Sequence, residues 1–274
     1  MNYTTYFRNS VCVVTGAGSG IGYALSEALL GAGSSVLLVD VSESALSDAS
    51  GRLATHAGRF HVVVVDVAIA EQVSNMIEHA LHHFGRIDML FNNAGIGGTL
   101  PITEATIDHW KRIVAINLWG VIHGVQAVLP AMLRQGTGHI INTASIGGIV
   151  PVPGQALYNT TKYAVVGLSE SLRYELEAQG IAVTVVCPGP VASRIWGVPI
   201  LGPRVDREAP RNAITAKVAA DTILRGVAQK EGIVVLPRSE KWMWRVYRCF
   251  PTLAERTLRS IAKSKDREGL AQRY

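Results

Sequence analysis

The apolar, β-branched run Val11–Thr15 leads straight into Gly16-Ala17-Gly18-Ser19-Gly20-Ile21-Gly22, where every second residue is glycine. Beyond it, Ile21, Ala24, Leu25, Ala28 and Leu29 recur at helical spacing, and Gly31 and Gly33 stop the helix. Val36–Asp40 is the next apolar run. Strand, glycine turn, helix and strand make a βαβ unit with buried parallel strands. Glycines at such a turn let a backbone approach a diphosphate, and the helix N-terminus adds free N–H groups and partial positive charge. Ser19, Gly20 and Ile21 open that helix. Asp40, eighteen residues past Gly22, stands where a carboxylate accepts from an adenosine ribose hydroxyl. A tight turn with Asp40 as a helix cap would use the same residues.

The alternation continues. A helical pattern covers 44–56 and a strand 61–67, with Asp66 and Val67 at its end, placed either to meet an adenine or to make a turn. The amphipathic helix 69–84 carries His79, His82 and His83 beside Glu78. With no matching ligand set nearby, these are read as a solvated face, and no metal is expected. The fourth strand, Ile87–Phe91, runs into Asn92-Asn93-Ala94-Gly95. Its amides can brace neighbouring strands, while Ala94 and Gly95 leave room for a flat ligand. One long helical pattern spans 104–135 and contains Asn117, a poor mid-helix residue expected to bond inward to backbone or to hold a local distortion. After a fifth strand at 139–143, a helix runs from Tyr158 to about Gln179, and the sixth strand, 181–187, closes on Pro188-Gly189-Pro190-Val191-Ala192-Ser193. That loop falls where strand ends and ligands meet in an open α/β sheet. The segment 194–212 is rich in Pro and Gly but holds Ile195, Trp196, Val198, Ile200 and Leu201, which reads as a lid with an apolar underside. A helix at 215–229 and a seventh strand at 232–236 complete the series. The fold expected is α/β: one doubly wound Rossmann-type domain over 1–236, with a mostly parallel seven-stranded sheet flanked by helices.

With 274 residues and 48% hydrophobic content the chain can bury a full core without disulfides. Cys12 and Cys187 sit in strand-like runs as small hydrophobes, which fits a reducing, cytoplasmic compartment. The first residues carry no signal-peptide pattern, and no apolar run reaches transmembrane length. The formal charge of +5 is uneven: 237–274 holds ten Lys/Arg against four Asp/Glu, a balance of +6, so the body is near neutral. A nucleic-acid-binding domain would instead show a basic face tied to a known motif. The extension 237–274 begins with mixed aromatic and basic residues, Lys241 to Phe250, and continues as a basic helical pattern to about Lys265. A helix packed on its own domain with a solvated basic face leads. Covering the substrate cleft, packing on a partner subunit and lying on an anionic membrane surface compete with it.

Tyr158 and Lys162 lie one turn apart on the same helix face. A cation so placed favours the phenolate and is expected to lower the tyrosine pKa, making it an acid or base nearer neutral pH. Ser145, after the fifth strand, can hydrogen-bond the same substrate oxygen.

Thr15-Gly16-Ala17-Gly18-Ser19-Gly20-Ile21-Gly22, Asn92-Asn93-Ala94-Gly95, Asn117, Ser145, Tyr158-x-x-x-Lys162 and Pro188-Gly189, in this order over about 10–236, resemble the short-chain dehydrogenase/reductase family. The resemblance implies a catalytic set of Ser145, Tyr158, Lys162 and Asn117. Tyr158 is then the general acid/base, Ser145 positions the substrate oxygen, and Lys162 lowers the Tyr158 pKa and binds the nicotinamide ribose. Asn117 holds a water of the proton relay. Gly16, Gly20 and Gly22 border the cofactor, Asn92 lies near its ribose, Asn93, Ala94 and Gly95 along it, and Val191 near the carboxamide. Pro188, Gly189 and Ser193, where the family often has Thr, complete the contacts. Members preferring NADP carry a basic residue in the glycine turn or after the second strand; here Ser19, Asp40 and Val41 stand there, which points to NAD.

The expected function is interconversion of a secondary alcohol and a ketone by hydride transfer, with Tyr158 handling the proton. Ile149, Val150, Val152, Ile195 and Trp196 favour a hydrophobic substrate. A non-catalytic dinucleotide-sensing module on the same fold is the alternative. A homo-oligomer, dimer or tetramer, is the family default, and peripheral membrane contact through the tail is a minority expectation.

Overall fold

The structure, a computed structural model, describes residues 3–252 apart from 198 and 203–207, together with 255, 256 and 259. The strands are β1 Val11–Thr15, β2 Ser35–Asp40, β3 Phe60–Val64, β4 Met89–Asn92, β5 Gly138–Thr143, β6 Ile181–Pro188, β7 Val191–Ala192, β8 Ile214–Thr215 and β9 Ile233–Leu236. The helices are α1 Thr4–Phe7, α2 Gly20–Gly31, α3 Glu43–Arg52, α4 Ala70–Phe84, α5 Ile107–Val114, α6 Gly120–Gln135, α7 Ala156–Leu176, α8 Ala216–Ala228 and α9 Arg238–Cys249.

Seven strands form one sheet in the order β3-β2-β1-β4-β5-β6-β9, every pairing parallel. The order reverses between β2-β1 and β1-β4, so a crevice opens there at the carboxyl ends of the strands. All five residues of β1 are buried, as a central strand covered on both faces requires. β3 is an edge strand, and its Val62 and Val64 face outward. On one face Leu25 and Leu29 of α2 meet Ala219, Ile223 and Leu224 of α8. On the other, Val73, Met76 and Ile77 of α4 meet Val125, Val128 and Met132 of α6. A third cluster joins Val165 and Val166 of α7 to Val185 and Cys187 of β6. Each fully buried Leu, Ile or Val contributes about 1.5–3 kcal/mol.

Three sequence expectations shift. The third strand stops at Val64, leaving Asp66 and Val67 in the following turn. The single 104–135 helix becomes α5, a π-helical turn Ala115–Trp119 and α6, with Asn117 inside that turn. This continuous stretch Ile107–Gln135 is long and apolar enough, by length and composition, to cross a membrane, unlike the sequence expectation. Here it is a core helix whose Ile113, Val121, Val125, Val128 and Met132 are buried. The small ladder β7–β8 was not expected; it ties the segment after β6 to the start of α8.

α9 lies on its own domain. Trp244 packs against the third cluster, Tyr247 neighbours Tyr163 of α7, and Lys241 faces Glu231 at 3.6 Å. Trp242, Met243 and Phe250 remain exposed. The pattern expected to reach Lys265 falls largely outside the described residues.

Candidate active site

The carboxyl ends of the central strands border a cleft of about 1030 Å³. Its floor on the β1 side is the glycine turn. Gly16 and Gly20 have φ of +69° and +54°, a left-handed backbone that glycine adopts without steric cost. A Cβ on Gly20 would meet Ser193, so turn and β6 loop touch across the cleft. Gly22 does not line the cleft: a Cβ there would run into the Gly16 carbonyl and the Asn93 amide, so this glycine lets α2 pack against the turn. Ser19 caps α2 without a side-chain hydrogen bond to the first turn.

At the end of β2, Asp40 lines the cleft and accepts from Gly18 N and Ser42 N, both at 3.0 Å. Ser42, not Asp40, caps α3 through its hydroxyl. Asp66 also lines the cleft while accepting from Ala68 N at 2.9 Å, so its turn role and its position for a ligand coexist. Val67 faces the cleft and packs against Gly120.

The β4 end is organised by a residue to which the sequence reading gave no site role. Thr15 Oγ1 accepts from Asn93 N at 2.9 Å and Ala94 N at 3.0 Å, and the Asn93 amide donates to the Thr15 carbonyl at 3.0 Å. Asn93, Ala94 and Gly95 line the cleft. Asn92 does not: it is buried and donates to Asn142 Oδ1 at 2.9 Å, bracing β4 against β5. The expected place near a ribose is thus corrected to a strut beneath it, because α6 packs onto this side chain at Gly124.

Asn117 is fully buried and does not border the cleft. Its amide clamps both main-chain polar groups of one residue, accepting from Ile96 N at 2.8 Å and donating to Ile96 O at 3.0 Å. The two expectations drawn from its place in the helix hold together, the inward bond and the distorted helix.

Ser145 follows β5, its hydroxyl accepting from Gly147 N at 3.1 Å and donating to the Pro188 carbonyl at 3.4 Å. Tyr158, half-buried on the first turn of α7, faces it, and Lys162 Nζ lies 5.7 Å from the Tyr158 ring centroid. Ser145, Tyr158 and Lys162 all border the cleft, with Pro188, Gly189, Val191 and Ser193 opposite. Burial pushes the Tyr158 phenol above its ordinary range, and the hydrogen bond from Ser145 pulls it partly back. That direction is the reverse of the one expected from the Tyr-x-x-x-Lys spacing. Burial also weakens the cation, lowering Lys162 to about 8.

Of the apolar residues assigned to the substrate side, Val152, Ile195 and Trp196 line the cleft, whereas Ile149 and Val150 are buried and do not. Ile96, Leu100 and Ile200 join the lining. Trp196 Nε1 donates to the Val191 carbonyl at 2.8 Å, holding the turn after β7 over the opening. Val198 of the expected lid lies outside the described residues.

The left-handed turn, the helix N-terminus beside it and the carboxylate at the β2 end fit a dinucleotide. Residues 10–198 match the family model described as short chain dehydrogenase. An uncharacterised oxidoreductase of Staphylococcus epidermidis is 37% identical over 78% of this chain and 92% of its own. The 3beta-hydroxysteroid dehydrogenase 2 of Eggerthella lenta is 37% identical over 67% and 71%. Among solved structures, a short chain dehydrogenase/reductase from Burkholderia phymatum in complex with NAD superposes with a TM-score of 0.83 at 30% identity, covering 90% of this chain and 96% of that one.

Proposed function

The chain belongs to the short-chain dehydrogenase family, and on that premise we propose that it is an NAD(H)-dependent oxidoreductase interconverting a hydrophobic secondary alcohol and its ketone. The observation that carries this reading is the convergence of Ser145, Tyr158 and Lys162 on one cleft that also contains the glycine turn and Asp40. The bound nicotinamide supplies the hydride acceptor or donor. In this reading Tyr158 Oη takes the proton from the alcohol, or returns it to the ketone, and the Ser145 hydroxyl fixes the substrate oxygen beside it. Lys162 supplies positive charge behind the phenol and a donor for a ribose hydroxyl. Asp40 accepts from the adenosine ribose and repels a 2′-phosphate. The similarity to the Eggerthella lenta 3beta-hydroxysteroid dehydrogenase 2 and the apolar lining from Ile96, Leu100, Val152 and Ile200 support a bulky, steroid-like alcohol. We also propose a homo-oligomer, on the exposed Trp119 and Tyr174 beside the core helices α6 and α7.

Initial rates with NAD against a panel of small and steroid-sized secondary alcohols test the reading. Turnover should require NAD, favour the large substrates and fall about 100-fold or more in Tyr158→Phe. Turnover that survives in Tyr158→Phe would remove the catalytic assignment. Tight NADH binding without turnover of any alcohol would favour a sensing module instead.

A further inference from the structure

Away from the cleft, β3 and α4 bring three histidines together. His61 lies near the start of the edge strand, and His79 and His83 sit one turn apart on α4. The His61 and His83 rings stack at 4.2 Å between centroids, and His79 and His83 lie 4.4 Å apart. The Phe84 ring flanks His61 at 5.5 Å. One ring nitrogen from each histidine falls within 4.8 Å of the others. Among the described residues no carboxylate or thiolate joins the group. His82, which the sequence placed on the same solvated face, is not in it.

Two observations separate this cluster from an ordinary stack of surface histidines. His79 Nε2 is buried and has no hydrogen-bond partner. A buried polar nitrogen left unpaired is destabilising. The second is reach. Ring nitrogens on a tetrahedral metal, at about 2.0–2.1 Å from it, stand roughly 3.3 Å from one another. His83 is exposed, so its ring can turn toward the other two without moving the strand or the helix.

We propose that His61, His79 and His83 form a site for a borderline divalent transition cation such as Zn²⁺, with water as the outer ligand. Three imidazoles without a hard oxygen donor suit zinc, copper or nickel rather than magnesium or calcium. The site would staple the edge strand β3, which has one neighbour in the sheet, to the helix that covers it. His61 lies five residues before Asp66, about 16 Å along an extended chain, so the staple is structural and separate from the cleft.

The probe is Zn²⁺ alone, titrated calorimetrically into tag-free protein after chelator dialysis, with Co²⁺ absorption reporting the donor geometry. The wild type should bind one equivalent with micromolar affinity and melt at a higher temperature with zinc present. His61→Gln and His83→Gln should each weaken binding at least tenfold and abolish the zinc-induced shift in melting. His82→Gln should leave both unchanged. Both triad variants retain β3 and α4, which far-ultraviolet dichroism and the metal-free melting temperature verify. Absence of binding in the wild type at about 1 mM zinc would overturn the proposal. So would binding that survives His61→Gln and His83→Gln, or that falls equally in His82→Gln.

Discussion

Lys162 Nζ donates to the Thr143 carbonyl at 2.9 Å, tying the first turns of α7 to the end of β5. The same ammonium is buried, and burial brings it down to about 8. With Tyr158 raised and Lys162 lowered, the two groups titrate further apart than their ordinary values do. Alcohol oxidation needs the phenol as a base, so its rate should rise with pH and level off once Tyr158 is ionised. Lys162→Met removes the charge that favours the phenolate. That variant should displace the rising limb to higher pH and lower kcat by on the order of 100-fold. A pH–rate profile of the two proteins checks this; coincident limbs would show that Lys162 does not tune the proton transfer.

Asn117 offers a different kind of test, because it touches the site through another segment. Replacing it with Ala leaves the N–H and the C=O of Ile96 without this partner in a part-buried position. Each orphan costs about 1–3 kcal/mol. Asn117→Ala should lower the melting temperature and loosen the Asn93–Gly98 wall of the cleft, raising KM for NAD. Asn117→Asp keeps the acceptor for Ile96 N and should recover part of the stability. Equal loss in both variants would mean that the Ile96 clamp is not what the side chain supplies.

Much of this arrangement was legible in the residues. β1, the glycine turn and α2 announce themselves by apolar runs and helical periodicity, and the sheet follows from their alternation. Ser145, Tyr158 and Lys162 stood out because their chemistry recurs at helical and strand-end spacing. Other features depend on tertiary packing, which spacing does not encode. Asn92 and Asn93 are neighbours, yet one braces β5 and the other faces the cleft, because Asn92 ends β4 while Asn93 begins the loop that Thr15 holds. Thr15 looked like the last residue of a strand, and its role appears only when the β4 loop arrives beside it. The Tyr158 shift runs opposite to expectation because burial outweighs the opposing hydrogen bond from Ser145. The pairing of His61 with His79 and His83 needs the edge-strand register, although the i,i+4 histidines alone were a readable signal.

Asp40 should set the choice between the two nicotinamide dinucleotides. Its carboxylate occupies the end of β2 and is anchored by Gly18 N and Ser42 N. Asp40→Ser removes the negative charge that would repel a 2′-phosphate while keeping a small acceptor. The ratio of kcat/KM for NAD over NADP should fall at least tenfold, about 1.4 kcal/mol of discrimination. Steady-state kinetics with both cofactors decide it, and an unchanged ratio would show that selectivity resides elsewhere in the turn.

His139, at the far end of β5, should make the fold sensitive to acid. Its ring is buried, with Nε2 at 2.8 Å from Thr184 Oγ1 and Nδ1 at 3.1 Å from the Tyr6 hydroxyl. Burial, with a smaller repulsion from Lys230, lowers its pKa to about 3, against an unfolded value of 6.5. Between these values the unfolded chain holds one proton more than the folded chain. Stability therefore rises with pH across the window, and it is lost as pH falls from 6.5 towards 3. The full shift corresponds to about 4–5 kcal/mol, an upper bound if the ring relaxes toward solvent. His139→Gln keeps one acceptor and one donor but does not titrate. Its thermal stability should decline less steeply than the wild type between pH 6.5 and 4, even though the variant is less stable at pH 7.5. Parallel curves for the two proteins would place the acid sensitivity in other groups.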